Sequence, residues 1–396
     1  MTDCVIIGGG VIGLSIAREL AGRGARVRVL CREQGRDTAS WAAAGIFPPA
    51  PPPGDRATPA GDRLTAWSDS LHRRWAEELR HETGIDTELR RVGGLHLAAS
   101  DAGLERLEAA AHAWRARGAR CDWLTTREII EHEPALAAAV STGGVRGGFL
   151  LPEEMSLRPP RHLAALEASC RQRGVVITGA DVHAVEVRDG SVAGVVTDSG
   201  IVHGATYCFA TGAWSGTVAS SLGLVIETRP IRGQIVLLRL PRQVLGRVVN
   251  FGIEYLVPRA DGRLLVGSTI EDVGFAPTTT PEAVDRLRRV AKRLLGALTD
   301  AALEQAWAGL RPGSIDGLPT LGRIPGYDNA FIAAGHFRAG LHQSTGTAVV
   351  LADLVTGAPL TIDLTPFAPE RRGERLAGPP PDSVAAYLAR AASEEA

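Results

Sequence analysis

The stretch VIIGGGVIGLSIARELAGRGARVRVL, near the start of the chain, constrains the fold more than any other. It begins with a short apolar run, continues with the spacing G-x-G-x-x-G at Gly8, Gly10 and Gly13, and reaches a second apolar run after a helix-like segment. This order is typical of a βαβ unit whose glycine-rich turn opens a helix and receives a pyrophosphate at the helix N-terminus. The sequence therefore predicts a Rossmann-like domain that binds a dinucleotide.

The residue after the second predicted strand departs from the usual pattern. A carboxylate normally stands about twenty residues beyond the glycines, where it accepts a hydrogen bond from the adenosine ribose. Here that position holds Cys31, followed by Arg32 and Glu33. Because a nearby arginine also fits the 2′-phosphate of NADP, these residues by themselves leave NADP and FAD open.

Composition narrows the class of partner. The chain has 43 Lys and Arg against 44 Asp and Glu, so its formal net charge of −1 provides no overall field for nucleic acid or an anionic membrane. No apolar run approaches the roughly eighteen residues of a membrane span. The five cysteines are scattered without the spacing of a zinc site, which favours a reducing compartment and predicts no metal. We expect a cytoplasmic protein with a small-molecule partner. The composition does not decide whether the protein forms a homo-oligomer.

Later segments predict that the dinucleotide domain is discontinuous. Alternating residues with turns at Asp189-Gly190 and Ser199-Gly200 indicate a β-meander, which ends in an apolar strand before Thr211-Gly212. A further strand, glycine turn and helix begin near Ala330. These parts are typical of a flavin site, and only one G-x-G-x-x-G follows a predicted strand, which leaves room for one dinucleotide. Both observations favour FAD over NADP.

Several segments carry a resemblance to a known family, namely TASWAAAGIF, YLVPR, GSTIEDVGF, AGLRPGSIDGLPTLGR and AAGHFRAGL. They resemble the D-amino-acid oxidase family of FAD enzymes, and within it the glycine oxidase branch associated with thiamine biosynthesis. The resemblance implies an α/β fold in which a discontinuous Rossmann-like FAD-binding domain carries an antiparallel-sheet α+β substrate domain. The limits expected for the FAD-binding domain are 1–88, 146–226 and 308–366, those for the substrate domain are 89–145 and 227–307, and a C-terminal tail covers 367–396.

The resemblance also implies where FAD is held. The pyrophosphate is expected at the glycine turn, the ribose near Cys31, the adenine by Val182 and the isoalloxazine around residues 336–342. The last cysteine is Cys208, so the C-terminal part has no cysteine for the covalent attachment seen in related sarcosine oxidases, and FAD is expected to be non-covalent. The implied cofactor residues are Gly8, Gly10, Val11, Ile12, Gly13, Cys31, Arg32, Ala39, Ser40, Ala44, Gly45, Ile46, Val182, Thr211, Gly212, His336, Phe337, Arg338, Ala339, Gly340, Leu341 and His342.

Two positions depart from the family pattern. Relatives usually have Glu where this chain has Cys31, so either Glu33, Arg32 or backbone groups replace that carboxylate, or FAD is bound less tightly. Relatives also tend to carry apolar residues where this chain has His342 and Gln343. Those two side chains are expected to put polar groups near the pyrimidine end of the flavin.

Three side chains are candidates for the chemistry. A planar guanidinium binds a carboxylate through two parallel hydrogen bonds, and the resemblance gives that role to Arg311. It implies that Tyr255 donates a further hydrogen bond to the same carboxylate and that Arg338 lies near both substrate and flavin. From the residues alone, a surface salt bridge for Arg311 and a half-buried strand position for Tyr255 are the commoner outcomes. No G-x-S-x-G is present, so a Ser-His-Asp hydrolase has no support.

The expected function is the FAD-dependent oxidative deamination of glycine or another small amino acid. Hydride transfer to flavin would give the imine, and molecular oxygen would then give hydrogen peroxide. Such a reaction depends mainly on how the protein orients its reactants. The alternatives left open are a D-amino acid or sarcosine oxidase, a dehydrogenase that uses another electron acceptor, and a flavin-binding assembly component with little activity.

Overall fold

The computed structural model describes residues 2–32, 38–52, 58–296 and 301–371, together with Ala389. Glu33 lies outside these ranges. The strands within them are, in chain order, β1 (Cys4–Ile7), β2 (Val27–Cys31), β3 (Ile46–Phe47), β4 (Arg90–Arg91), β5 (Gly94–Ala98), β6 (Asp122–Leu124), β7 (Gly147–Leu151), β8 (Met155–Ser156), β9 (Val176–Gly179), β10 (Val182–Arg188), β11 (Ser191–Thr197), β12 (Gly200–Val202), β13 (Thr206–Phe209), β14 (Thr228–Arg239), β15 (Val248–Phe251), β16 (Glu254–Pro258), β17 (Arg263–Gly267), β18 (Ala302–Ser314), β19 (Thr320–Arg323) and β20 (Ala330–Ala334).

The helices within the described ranges vary from single turns to 24 residues in length. They are α1 (Val11–Gly22), α2 (Ala39–Ala42), α3 (Ala60–Thr83), α4 (Asp101–Ala116), α5 (Thr126–His132), α6 (Ala137–Ser141), α7 (Pro159–Gln172), α8 (Ser215–Ser220), α9 (Pro281–Leu295) and α10 (Gly340–Thr356). No helix in the described ranges has the length and apolar character needed to cross a membrane.

The first sheet is built around the apolar strand β1. Its strand order is β19-β20-β13-β1-β2-β9, in which β1 pairs in parallel with β2 and β13, and only β19 is antiparallel to its neighbour. Every residue of β1 and β20 is buried, as expected for strands covered on both faces. On one face α1 packs between this sheet and the helices α3, α7 and α10. The other face is covered in part by the meander β10-β11-β12.

The second sheet has the order β18-β14-β17-β16-β15-β5-β7-β6. Its pairs are antiparallel except for β15 with β5. The long ladder between β14 and β18 pairs Ile231 with Arg311 and Gly233 with Gly309. The helix α9 covers one face of this sheet through Leu287, Ala291 and Leu294. The other face meets the first sheet across a large cavity.

The expected domain limits agree only partly with the sheets. All strands of the first sheet fall in the segments expected for the FAD-binding domain. However, β7 lies inside 146–226 and pairs with β5 and β6 of the second sheet, and β18 crosses the limit at 307/308. The exact limits therefore stay a prediction. Of the expected tail, residues 372–388 and 390–396 lie outside the described residues, whereas Phe367 is buried and Arg371 forms an ion pair with Asp316.

Buried histidines stand out in the core of the first domain. His162 is 2% exposed, and neither of its ring nitrogens has a hydrogen-bond partner within the described part of the chain. Burial, together with the positive charge of Arg18, lowers the pKa of His162 to about 4. Burial also lowers the pKa of His72 to about 3, although its Nε2 lies 2.7 Å from the carbonyl oxygen of His342. Both rings are neutral at pH 7.

These pKa values make stability depend on pH in a defined direction. An unfolded histidine has a pKa near 6.5, so between about pH 6.5 and pH 4 the unfolded chain binds protons that the folded chain does not. These histidines therefore do not reduce the free energy of unfolding above about pH 6.5, and they reduce it progressively as the pH drops below that value. Each such histidine contributes a slope of about 1.4 kcal/mol per pH unit in this window.

Replacing His162 by Leu should remove one of these contributions. We expect urea unfolding of the H162L variant to lose less stability than the wild type between pH 6 and pH 5, by about 1.4 kcal/mol. The exposed His112, changed to Leu, is the matched control and should retain the wild-type pH dependence. Identical slopes for H162L and the wild type would contradict the assignment of a neutral buried ring.

Candidate active site

The cavity lies at the carboxyl ends of the parallel strands. Its volume is about 1270 Å³. The residues that follow β1, β2, β9, β13 and β20 all contribute to its wall, and β14, β16 and β18 of the second sheet close the opposite side. In open α/β sheets nucleotide ligands bind at this edge, in the crevice that forms where the connections from neighbouring strands leave toward opposite faces of the sheet.

The glycine turn brings backbone against backbone. Gly8 has a φ of 116°, and a Cβ at this position would lie 2.2 Å from the carbonyl oxygen of Ala210. A Cβ at Gly13 would lie 1.9 Å from the carbonyl oxygen of Gly8. Gly10 precedes α1 and has no side chain to cap it, and the first residues of the helix, Val11 and Ile12, line the cavity. Backbone N–H groups at a helix N-terminus form a site for a phosphate group.

The end of the cavity beside β2 contains Cys31, Arg32 and Trp214. Burial raises the pKa of the Cys31 thiol, with a smaller contribution from the Glu167 carboxylate, so the thiol stays protonated at neutral pH. The guanidinium of Arg32 lies 4.0 Å from the centre of the Trp214 ring. The Trp214 ring also stacks against the ring of Phe275, with the ring centres 5.6 Å apart.

At the opposite end, Arg311 projects from β18 over a glycine of the adjacent strand. Its Nη2 donates to Ser268 Oγ at 2.7 Å, and its Nη1 donates to the carbonyl oxygen of Thr269 at 3.3 Å. A Cβ at Gly233 would lie 2.2 Å from Nη1, so only glycine leaves room for the guanidinium there. The ring of Tyr255, which is 6% exposed, belongs to the same part of the wall.

The turn after β20 connects the two ends of the wall. Gly335 has a φ of 73° and Phe337 a φ of 46°, and the Phe337 N–H donates to the carbonyl oxygen of Pro312 at 2.9 Å. His336 Nε2 lies 3.0 Å from Thr347 Oγ1, and burial lowers the pKa of His336 to about 3. A neutral, buried ring with such a low pKa is a poor proton acceptor at pH 7. Arg338 is exposed at the cavity wall.

The structure brings most of the predicted site residues into one wall. Arg311, Tyr255 and Arg338 line the same cavity as the predicted cofactor residues Gly8, Gly10, Val11, Ile12, Cys31, Arg32, Ala39, Ser40, Ala44, Gly45, Ile46, Val182, Thr211, Gly212, His336, Phe337, Gly340 and Leu341. Ser40 Oγ accepts a hydrogen bond from the Val11 N–H at 2.9 Å, which ties the loop before α2 to the glycine turn. The individual roles of these residues in binding and chemistry stay predictions.

Gly13, Ala339 and His342 are not part of the wall. Gly13 lies behind the glycine turn, where its lack of a side chain lets α1 pack closely against the turn. His342 is turned into the core, where its ring stacks on Phe47 with centres 4.5 Å apart and its Nε2 lies 3.0 Å from Asp69 Oδ1. The His342 side chain, which was expected beside the flavin, therefore interacts with Asp69 instead.

Several wall residues escaped the sequence analysis, among them Trp307, Ile235, Asp181 and Trp214. Trp307 had a usable signal, because it precedes Arg311 by four residues in one strand, and alternate residues of a strand share a face. Asp181 follows a strand whose pairing with β2 could not be read from local pattern. In the described ranges, no group of His, Cys, Asp and Glu side chains is arranged to hold a metal ion.

Comparison with known proteins identifies a family of FAD enzymes. Residues 3–354 match the family described as FAD dependent oxidoreductase. The chain is 37% identical over 378 residues to glycine oxidase of Pseudomonas aeruginosa, covering 93% of this chain and 98% of that protein. It is 34% identical over 368 residues to the bifunctional protein ThiO/ThiG of Nostoc sp., covering 89% of this chain and 52% of that protein.

A solved structure confirms the predicted fold class. The crystal structure of glycine oxidase from Geobacillus kaustophilus superimposes with a TM-score of 0.86 at 31% identity, covering 94% of this chain and 99% of that one. The α/β fold with a Rossmann-like domain and an antiparallel-sheet domain is therefore confirmed, and so is the resemblance to this group of FAD enzymes.

The backbone contact at Gly8 should be required for FAD binding. A methyl group at Gly8 would overlap the Ala210 carbonyl oxygen and force the turn out of the cavity. We expect G8A to be purified without the visible absorption band of flavin. Gly24 is the matched control: its φ of 90° is also positive, but a Cβ there would meet nothing within 4 Å. G24A should cost about 1 kcal/mol of stability and keep its flavin. Full flavin content in G8A would show that the turn does not hold the cofactor.

Proposed function

The chain belongs to the FAD dependent oxidoreductase family, and we propose that it catalyses the oxidative deamination of glycine or another small amino acid. FAD rather than NADP is its cofactor, as the sequence predicted. The proposed reaction converts the amino acid, molecular oxygen and water to the oxo acid, ammonia and hydrogen peroxide. When bound, FAD would supply the redox chemistry, because a flavin can accept a hydride, that is two electrons and one proton, from the substrate carbon and pass the electrons to oxygen.

The cavity has the features that an extended FAD needs. One end offers the N-terminus of α1 for the pyrophosphate, where Gly10, Val11 and Ile12 line the cavity and the Val11 N–H already donates to Ser40 Oγ. The strand ends beside Cys31 and Val182 form the adjoining wall, and the turn from Gly335 to Arg338 forms the wall toward the second sheet. Among the described residues of that wall, Cys31 is the one cysteine and lies at the end proposed for the adenosine, and the sequence has no cysteine after Cys208, so we propose that FAD is held without a covalent bond.

The position of Arg311 is the observation that carries the proposal. Its guanidinium is oriented by Ser268 and by the Thr269 carbonyl oxygen, at the wall of a cavity that also fits the cofactor. A guanidinium binds a carboxylate through two parallel hydrogen bonds and so sets both its direction and its distance. The Tyr255 hydroxyl is available to donate a further hydrogen bond to the same carboxylate. With the carboxylate fixed, the α-carbon of the substrate is oriented for the redox step.

Rigid aromatic walls favour a small substrate. Trp307 Nε1 donates to the carbonyl oxygen of Ala42 at 3.2 Å, and the Trp307 ring packs edge to face on Trp41 at 5.3 Å between ring centres. Tyr255 and Ile235 are buried in the same cluster. A substrate with a large side chain would have to displace these packed rings, whereas glycine would not. The glycine oxidases among the relatives agree with this inference.

We also propose a location and an electron acceptor. The five cysteines are free thiols, which is typical of a reducing compartment, so we propose that the protein works in the cytoplasm. The proposed electron acceptor is molecular oxygen. A D-amino acid or sarcosine oxidase would use the same clamp and differ only in the space left around the α-carbon and the amine.

Replacing Arg311 by Ala should weaken the binding of carboxylate substrates. Loss of two charge-assisted hydrogen bonds predicts a rise in KM for glycine of about a hundredfold. R311K keeps the charge without the bidentate geometry and should fall between R311A and the wild type. The matched control is R239A, because Arg239 pairs with Glu304 at the edge of the same sheet and is outside the cavity wall. Peroxide formation is measured with glycine, sarcosine and D-alanine, and ammonia formation with the two primary amines, glycine and D-alanine.

The substrate series separates the competing reactions. We expect the highest kcat/KM with glycine. A clear preference for D-alanine or sarcosine would move the assignment to those oxidases, and absence of peroxide with every amino acid would remove the oxidase reaction. An unchanged KM in R311A would refute the carboxylate clamp, and acetate should then perturb the flavin spectrum of R311A as strongly as that of the wild type.

A further inference from the structure

The adenosine end of the cavity lacks the carboxylate that a dinucleotide site normally has at the end of β2. Position 31 is a cysteine, and burial raises the pKa of its thiol, so it offers no charged acceptor. A Cβ at Gly9 would lie 2.6 Å from the Cys31 Cβ, which shows how closely this side chain packs on the glycine turn. The usual hydrogen-bond acceptor for the ribose hydroxyls must therefore come from elsewhere.

The strand next to β2 brings a carboxylate to the same place. β9 pairs in parallel with β2, so that Gly179 stands opposite Cys31, and the Ala180 N–H donates to the Cys31 carbonyl oxygen at 2.8 Å. Asp181 follows directly. It shares the cavity wall with Cys31, Arg32 and Val182. Register alone thus carries an acid from the end of β9 to the position beside the end of β2.

The surroundings leave the Asp181 carboxylate available. Its main-chain N–H donates to Asp198 Oδ2 at 3.3 Å, which anchors the backbone. Across the residues that the structure describes, its side-chain oxygens make neither a hydrogen bond nor an ion pair. The carboxylate is exposed to the cavity, where a ligand with hydroxyl groups would meet it.

Glu33 lies outside the described residues, and the other described candidates at this end are less suited to the task. Arg32 can only donate hydrogen bonds, and its guanidinium already lies over the Trp214 ring at 4.0 Å. The Cys31 sulfur lies 3.9 Å from the Thr178 carbonyl oxygen and is at best a weak acceptor. A carboxylate is a strong acceptor with two oxygens, so it can receive hydrogen bonds from neighbouring hydroxyls.

We propose that Asp181 accepts the hydrogen bonds of the adenosine ribose of FAD, in place of the acid that position 31 lacks. The acceptor has moved from the end of one parallel strand to the end of the next, while the glycine turn is unchanged. Asp181 is thus a determinant of cofactor affinity that acts on the adenosine half of FAD. The inference concerns FAD binding and does not depend on which amino acid is oxidised.

Cofactor affinity provides the test. The full chain, purified with FAD, is diluted, and the FAD released is measured by its fluorescence to give Kd. We expect D181A to raise Kd about tenfold, as for the loss of a hydrogen bond to a charged group. D181N keeps the shape and loses the charge, so it should raise Kd by a smaller factor in the same direction. C31E added to D181A should restore Kd to near the wild-type value.

Nucleotide competitors show whether the effect lies at the ribose. ADP, 2′-deoxy-ADP and 3′-deoxy-ADP are each used to displace FAD. In the wild type at least one deoxy compound should compete more weakly than ADP, and in D181A that difference should disappear. D328A is the matched control, because Asp328 is an exposed acid of the same domain outside the cavity wall, and its Kd should equal that of the wild type.

Two results would overturn the proposal. One is a Kd for FAD that is unchanged or lower in both D181A and D181N. The other is a difference between ADP and its deoxy forms that persists in D181A, which would place the ribose acceptor elsewhere. If D181A does not fold, the Kd for FAD and the nucleotide series are measured with D181N instead, because asparagine is isosteric with aspartate.

Discussion

The structure depends on one close contact between backbones, at the glycine turn after β1. The turn passes under the end of β13, and α1 begins against the turn itself, because Gly8 and Gly13 carry no Cβ. This contact seats α1 on the sheet with its N-terminus toward the cavity. It also brings the ends of β1, β13 and β20 to one edge. The end of the cavity proposed for the pyrophosphate is thus determined by packing that leaves no room for a side chain at Gly8 or Gly13.

The opposite end depends on a second glycine position, now between antiparallel strands. The ladder of β14 with β18 sets Gly233 opposite Gly309, two residues before Arg311. Because Gly233 has no side chain, the guanidinium lies across β14 and reaches Ser268 and Thr269 on the next segment of the sheet. The ends proposed for the cofactor and for the substrate belong to different sheets, and the turn through Phe337 links them by its hydrogen bond to Pro312. In this proposal, the orientation of the two reactants follows from sheet register.

How far the sequence predicts this site depends on the range of the interaction. The glycine turn is local, since its strand, turn and helix are contiguous, and periodicity with glycine spacing was enough to place it. Arg311 and Tyr255 came from the resemblance, because their meeting requires pairing between strands that are far apart in the chain. Asp181 was missed for the same physical reason: its place beside Cys31 exists only through the pairing of β9 with β2. His342 was expected beside the flavin, but its orientation depends on Asp69 from α3, which no local pattern reveals.

We propose that one cavity orients a small amino acid for hydrogen transfer to bound FAD. The rate at which glycine bleaches the flavin band without oxygen, compared with the rate for glycine carrying deuterium at both α positions, tests this orientation. We expect rapid bleaching by glycine and slower bleaching, by a factor of several, by the deuterated form. A flavin band that glycine leaves unchanged, in protein that retains its FAD, would contradict it.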